Sequence, residues 1–255
     1  MAYKRSSERG EVQKLKPVHL FLESKGRRST NTRKAYLNAL VHFNNFLKPQ
    51  NAETILQSIL ERKTNVYELL DNFLNHLISL KKITTRTAII HLTAIKSYLQ
   101  HRDVDIIPGK FKKKVTVPKF LREDEQAIDA HDIRNILIKC NNRRLKTYLP
   151  ILASGGMRTV EALAIRIKDV DFNVRPTKIH IRGEFSKTCV ARDIYISDEA
   201  TQTLRDWINW KYRNGKSKAA DDLIFHDSLP GEEPNPRSLY SHIAFEFSDL
   251  RKLTG

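Results

Sequence analysis

Residues 153–172, ASGGMRTVEALAIRIKDVDF, contain the most informative local pattern in the chain. Arg158 follows the Gly155-Gly156 break and begins a predicted short helix, so its guanidinium lies beside unpaired helix N–H groups, a favourable corner for an anion. Glu161 comes three residues later and can orient Arg158 through an i,i+3 contact. A simple surface ion pair is the alternative interpretation of this spacing.

The flanking segments predict a helix on each side and a β-hairpin after the motif. Upstream, Ile133, Ile136 and Leu137 indicate one helix, and Leu145 to Leu152 indicate a second that Gly155-Gly156 ends. Downstream, residues 178–182 and 192–196 alternate between polar and apolar, which is typical of two strands joined by the long turn 183–191. Ser197 then caps a further helix.

The N-terminal part of the sequence shows helical periodicity only. Residues 1–16 are predicted to be a charged, mobile arm. Residues 17–106 carry four apolar stripes, with Ser29 or Thr30 and Thr84-Thr85 as helix starts, and predict a bundle of about four helices. Residues 107–124 combine two prolines, a glycine and Lys112-Lys113-Lys114, and predict a basic linker.

Composition excludes several classes of protein. The chain has 255 residues, of which 40% are hydrophobic and only 9 are Gly and 9 Pro, so two globular domains are expected. Cys140 and Cys189 are too few for a disulfide framework or a cysteine-based zinc site, and nine histidines show no metal-ligand spacing. No long apolar run or secretory h-region occurs, so we expect a cytoplasmic protein without a membrane partner.

The positive charge is concentrated in the first half of the chain. The net charge is +16, and residues 1–118 hold 22 basic and 9 acidic residues, net +13, whereas residues 119–255 hold 23 and 20, net +3. Such an asymmetric excess favours nucleic-acid binding over a merely solubilising surface. The candidate DNA contacts are basic and hydroxyl residues near helix starts and in the linker: Arg27, Arg28, Thr30, Arg33, Thr85, Arg86, Lys112, Lys113 and Lys114.

Taken together, these motifs resemble the tyrosine recombinase (phage integrase) family over residues 17–255. Gly155 to Leu163, followed by Asp169-Val170-Asp171, is similar to the family box that carries its first catalytic arginine. GEFSKTCVARDIYIS presents Lys187 in a hairpin loop, where the family carries its catalytic lysine. The helical segments GRRSTNTRKAYLNALVHFNNFL and TTRTAIIHLTAIKSYL are similar to the core-binding domain of the family.

The resemblance implies a fold that is mainly α with a small antiparallel β-sheet. It divides the chain into the arm 1–16, a helical (SAM-like) core-binding domain 17–106, the linker 107–124 and a mixed α/β catalytic domain 125–255. It implies site-specific recombination of double-stranded DNA through a 3′-phosphotyrosine intermediate, with self-association into a tetramer on DNA and without a cofactor or metal. Arg158 and Lys187 would be catalytic, and Glu161 would orient Arg158.

The sequence departs from the family at its end. The second box, His-x-x-Arg, and the nucleophilic tyrosine beyond it have no convincing match, although Ser248-Asp249-Leu250-Arg251 imitates the box with serine for histidine. The chain is therefore expected to lack the C-terminal catalytic end, and to be inactive as it stands. Four tyrosines are expected to be structural: Tyr148, Tyr195, Tyr212 and Tyr240. Of these, Tyr148 and Tyr195 are predicted to lie in the core.

Three other functions remain open at this stage. A protein that kept the recombinase fold for DNA binding and lost catalysis is the main alternative, and a type IB topoisomerase is a lesser one. A metal-dependent nuclease would need carboxylate clusters, and adjacent acidic residues more commonly lie in solvated loops. The acidic clusters in question are Glu123-Asp124-Glu125, Asp221-Asp222 and Glu232-Glu233.

Overall fold

A computed structural model describes residues 9–27, 29–80, 82–119, 128–213, 217–226 and 235–254. The chain divides into two compact units, residues 1–124 and 125–255, each with its own hydrophobic core. Within the described ranges, no helix has the length and apolar character needed to cross a membrane.

The first unit is helical. Its helices are α1 (Lys16–Gly26), α2 (Thr30–Phe46), α3 (Ala52–Leu60), α4 (Val66–Ser79), α5 (Thr85–His101) and α6 (Pro108–Lys114). Ser29 and Thr84 cap α2 and α5 as predicted, because their side-chain oxygens accept the N–H groups of Thr32 and Thr87. Helix α3 is additional to the four predicted stripes, and Asn51 caps it.

Two described segments of this unit, residues 9–14 and 108–114, are helical where the sequence did not predict a helix. Residues 9–14, predicted as part of a mobile arm, are helical, and Val12 is buried in the core. Helix α6 occupies part of the predicted linker, and Phe111 and Val115 pack against the same core. For these residues, mobility of the arm and an open linker were the wrong expectation, because Val12, Phe111 and Val115 bury apolar surface against the neighbouring core.

Helices α2 and α5 run antiparallel. Phe21 contacts both Tyr36 in α2 and Tyr98 near the end of α5, with ring centroids 5.8 and 5.3 Å apart. Further along α2, the ring of His42 lies 5.0 Å from that of His91, near the start of α5. The beginnings of these two helices therefore lie at opposite ends of the bundle, about 25 Å apart for a helix of this length.

In its described residues, the second unit combines five α-helices with a three-stranded antiparallel sheet. Its elements are α7 (Ala130–Lys139), α8 (Arg143–Gly155), α9 (Thr159–Leu163), β1 (Val170–Asp171), β2 (Thr177–Ile181), β3 (Arg192–Ile196), α10 (Asp198–Lys211) and α11 (Pro236–Thr254). The strand order is β1-β2-β3. The predicted fold class, mainly α with a small antiparallel sheet, is confirmed, and the predicted hairpin is β2 with β3.

The register of β3 decides which of its side chains enter the core. Thr177 pairs with Ile196 and Ile181 pairs with Arg192, so Arg192, Ile194 and Ile196 share the inner face. Tyr195 therefore faces outward and is 55% exposed, which contradicts its predicted core position. Tyr148 is buried as predicted and donates a hydrogen bond to the carbonyl of Thr159.

Candidate functional site

Two glycines shape the junction between α8 and α9. Gly156 ends α8 in the left-handed conformation, with φ of 57°, which glycine adopts without steric cost. A Cβ on Gly155 would lie 2.6 Å from Met157 Cε and 2.8 Å from Ile194 Cδ1, so the end of α8 closely approaches β3. The turn thus brings Arg158 to the start of α9, beside the strand.

Arg158 and Glu161 form the predicted i,i+3 pair. The backbone N–H of Arg158 donates to Glu161 Oε2 at 2.9 Å, and its Nη1 donates to Oε1 at 2.9 Å. The Arg158 side chain is 54% exposed, whereas that of Glu161 is fully buried. A buried carboxylate thus holds one edge of the guanidinium and leaves the rest facing outward.

Arg192 also contacts Glu161, and it was not among the predicted site residues. Its Nη1 donates to Oε1 at 3.2 Å and its Nη2 donates to Oε2 at 2.7 Å. The available signal was an arginine on the inner face of an alternating strand, since a charged side chain in such a position needs a buried partner. The two arginines and the one carboxylate give the cluster a net charge of +1.

The surroundings of Glu161 keep its carboxylate ionised. Burial favours the neutral acid and raises the pKa, but the hydrogen bonds from Arg192 and Arg158 more than offset this effect. The net result is a pKa lowered to about 2. Four N–H donors surround the two oxygens, which satisfies the hydrogen-bonding capacity of a carboxylate.

Arg158 keeps donors available for a ligand. Among the described residues, its Nε and Nη2 have no hydrogen-bond partner, because Glu161 takes only the backbone N–H and Nη1. A guanidinium edge with free parallel N–H groups matches the oxygens of a phosphate. The site is therefore suited to bind a phosphodiester or another oxyanion.

Lys187 lies in a folded turn between β2 and β3. A short 3-10 helix spans Gly183–Phe185, and the N–H groups of Ser186 and Cys189 donate to the carbonyls of Gly183 and Ser186. Lys187 itself is exposed. It precedes Arg192 by five residues, or at most about 17 Å of extended chain, so the loop belongs to the same region of the unit.

We expect Gly183→Ala to open this turn. The new Cβ would lie 2.9 Å from the carbonyl oxygen of Cys189 and 3.3 Å from the backbone N of Ala191, and backbone atoms cannot rotate away. Amide hydrogen exchange at residues 186–191 should become at least about tenfold faster, which corresponds to a local cost of about 1.4 kcal/mol.

Gly109→Ala is the matched control for this substitution. Nothing lies within 4 Å of the Cβ position in α6, so the change should leave exchange in the hairpin unaltered. Equal protection of residues 186–191 in wild type and Gly183→Ala would show that the turn is not closed by this backbone contact.

The candidate DNA contacts of the first unit fall into three places. Arg27 and Thr30 are exposed where α1 ends and α2 begins, and Arg28 lies outside the described residues. Arg33 is half-buried and lies 3.2 Å from Glu23, so this arginine also links α1 to α2. The others lie at the start of α5 and in the last turn of α6: Thr85, Arg86, Lys112, Lys113 and Lys114.

The remaining tyrosines and acidic clusters show no grouping that would form a second site in the described residues. Tyr212 donates to Asp222 at 2.7 Å, and Asp221 pairs with Arg166 and Lys168. Tyr240 is 47% exposed on α11. The clusters at 123–125 and 232–233 lie outside the described residues, and no group of three or more metal-ligating side chains occurs among the described ones.

The exposed donors of Arg158 at the start of α9 and the lysine-bearing hairpin lie in the same unit and are chemically suited to an oxyanion. The model of the phage integrase family matches residues 119–252, which is more than half of the chain. The protein belongs to the phage integrase family of tyrosine recombinases.

Relatives of known name are similar to part of the chain. The tyrosine recombinase XerA of Saccharolobus solfataricus is 28% identical over 145 residues, which cover 57% of this chain and 43% of that protein. The tyrosine recombinase XerC of Staphylococcus epidermidis is 28% identical over 167 residues, covering 61% and 51%. The chain thus spans about half the length of these curated relatives.

Solved structures support the fold. The XerH site-specific recombinase bound to difH substrate, in a pre-cleavage complex, superposes with a TM-score of 0.57 at 15% sequence identity. The match covers 88% of this chain and 62% of that one. At this identity the likeness shows a shared fold.

Proposed function

We propose that this protein takes part in site-specific recombination of double-stranded DNA and that Arg158 binds the scissile phosphate. One observation carries the proposal: a buried, ionised Glu161 holds Arg158 by its backbone N–H and one terminal nitrogen, and leaves Nε and Nη2 without a partner in the described part of the chain. Membership of the phage integrase family supports the DNA substrate.

The proposed chemistry is transfer of a phosphodiester to a tyrosine. The tyrosine oxygen would form a bond to phosphorus while the bond from phosphorus to the 5′-oxygen breaks, and charge would build on the non-bridging oxygens. Arg158 would stabilise that charge, and Lys187 would give a proton to the departing 5′-oxygen. The family's second box and its nucleophilic tyrosine have no convincing match in this sequence, so the proposal assigns roles to Arg158 and Lys187 only.

The first unit would hold the duplex. Its net charge of +13 over residues 1–118 provides an attractive field, and exposed basic residues occur at both ends of the antiparallel pair α2 and α5. An end-to-end distance of about 25 Å is less than one turn of B-DNA, so both ends can reach one duplex. We propose assembly into a tetramer on that DNA.

Covalent trapping tests the catalytic proposal. The polypeptide expressed from the complete reading frame would be incubated with a duplex that carries a nick beside the cleavage point, so that the released short strand diffuses away. A protein-DNA band that survives a denaturing gel is the expected result. Sequence-specific binding without any covalent band would favour the non-catalytic, DNA-binding member of the fold.

Salt dependence tests the proposed phosphate contacts of α6. Lys112 and Lys113 are exposed in its last turn, so the double substitution to alanine should reduce the slope of log K against log salt by about 2, because each phosphate contact contributes about 0.9. Fluorescence anisotropy of the 255-residue chain on labelled duplex DNA at several salt concentrations measures the slope.

Substitution of Lys48 and Lys63 by alanine removes the same charge from exposed positions flanking α3 and serves as the control. This pair should leave the slope nearly unchanged. If both double variants lower the slope equally, the charge acts through the general field of the unit, and Lys112 and Lys113 make no specific phosphate contacts.

A further inference from the structure

The two arginines at Glu161 use their donors differently. Arg192 places both terminal nitrogens on the carboxylate, at 3.2 and 2.7 Å, in a fork-to-fork arrangement. Arg158 uses one terminal nitrogen, at 2.9 Å. The two terminal nitrogens of Arg192 already donate to Glu161, so this pair of N–H groups does not bind a phosphate at the same time. This geometry suits a residue that positions Glu161.

We propose that Arg192 is a positioning residue, which holds Glu161 ionised and in place so that Glu161 in turn aims Arg158 at the phosphate. This inference rests on the proposed function of Arg158 and adds to it a third member of the site. Arg192 begins β3 and Arg158 begins α9, so the carboxylate also couples the sheet to the helix.

The physical reason is the burial of Glu161. Its side chain has no exposed surface, so without Arg192 only the two donors of Arg158 would stabilise its negative charge. Desolvation then favours proton uptake by the carboxyl group. A neutral Glu161 attracts the guanidinium of Arg158 less strongly, and that side chain gains rotational freedom.

Other titratable groups near Glu161 have partners of their own. Asp169, His180 and Arg182 line the same small cavity as Glu161. Arg182 Nε lies 3.3 Å from Asp169, and His180 Nδ1 lies 2.7 Å from Asp193 on the outer face of the sheet. These pairs remain when Arg192 is removed, so a change in the titration of Glu161 reports the loss of Arg192.

A carboxyl titration by NMR tests the proposal on the 255-residue chain. With ¹³C-labelled glutamate, and the Glu161 signal assigned through Glu161→Gln, wild-type Glu161 should stay ionised down to pH 3. In Arg192→Ala it should titrate in the range of ordinary carboxyl groups or higher, and the Nε–H signal of Arg158 should change over the same pH range. Arg192→Lys should give an intermediate result, because it keeps the charge without the fork.

Controls separate positioning from folding. Arg175→Ala removes an arginine that is 84% exposed in the same unit, and it should leave the Glu161 titration as in wild type. Trp207 and Trp210, both in this unit, report by fluorescence that each variant is folded over the pH range. A folded Arg192→Ala whose Glu161 stays ionised at pH 3 with Arg158 unperturbed would overturn the proposal.

The rate of strand cleavage by the protein expressed from the complete reading frame provides a second, independent test. Arg192→Ala should slow cleavage about 10- to 100-fold, as a misplaced catalytic group does, and more strongly at pH 6 than at pH 8. Added to Glu161→Gln, it should cost little more, because both substitutions break the same link. Fully additive effects would mean that Arg192 contacts DNA itself and would contradict the positioning role.

The two hypotheses fail in different ways. Normal cleavage by Arg158→Ala refutes the proposed function but leaves the coupling between Arg192, Glu161 and Arg158 measurable by NMR. An unchanged Glu161 titration in Arg192→Ala refutes the coupling even when Arg158 proves essential.

Discussion

Arg158→Ala is expected to lower strand cleavage at least about 10²- to 10³-fold in the protein expressed from the complete reading frame, since losing one transition-state donor costs about 2.7–4 kcal/mol. Single-turnover cleavage of a nicked target duplex measures this rate. Arg158→Lys should recover little of it, because an ammonium group cannot make two parallel hydrogen bonds to phosphate.

DNA binding separates this catalytic effect from a folding defect. Both Arg158 variants should bind the target within a few-fold of wild type, since each loses one phosphate contact among many. An Arg158→Ala protein that cleaves at the wild-type rate while folded and bound would remove Arg158 from the site and favour the non-catalytic, DNA-binding alternative.

Glu161→Gln is expected to destabilise the second unit by about 3 kcal/mol near neutral pH, because it removes the negative charge that accepts hydrogen bonds from both guanidinium groups. The pKa of Glu161 is lowered from 4.5 to about 2, so its contribution is complete above pH 4.5 and is lost as the pH falls towards 2. That interval corresponds to a free energy of about 3 kcal/mol. In Glu161→Gln this part of the acid dependence should disappear.

Tryptophan fluorescence during urea unfolding, at pH 6 and at pH 3, measures the free energy of unfolding of the second unit. The only two tryptophans, Trp207 and Trp210, belong to residues 125–255. Glu184→Gln is the control, since Glu184 pairs with Arg182 but is 57% exposed, and it should change stability by less than about 1 kcal/mol. Equal losses in the two variants would show that burial of Glu161 does not matter.

Local sequence patterns predicted most of the helices, the β-hairpin and the pairing of Arg158 with Glu161. The Gly-Gly break, the helix start at Arg158 and the three-residue spacing to Glu161 together specify an i,i+3 contact whatever surrounds them, and the structure contains that contact. Strand alternation likewise predicted the hairpin that carries Lys187. These signals are reliable because capping and periodicity act over one or two turns of chain.

The rest depended on contacts between distant segments. Arg192 reaches Glu161 across 31 residues of sequence, and Tyr195 faces solvent because the pairing of β2 with β3 turns Arg192, Ile194 and Ile196 inward. Val12 and Val115 joined the core of the first unit although the flanking charges suggested an arm and a linker.

The sequence by itself therefore determined most of the helices, the hairpin, the distribution of charge and the Arg158–Glu161 pair. Only the tertiary structure decided that Glu161 is buried and shared between two arginines. The physical reason is that burial and the choice of a charged partner are set by the tertiary contacts that bring Glu161 of α9 next to Arg192 of β3, and no spacing along the chain encodes those contacts.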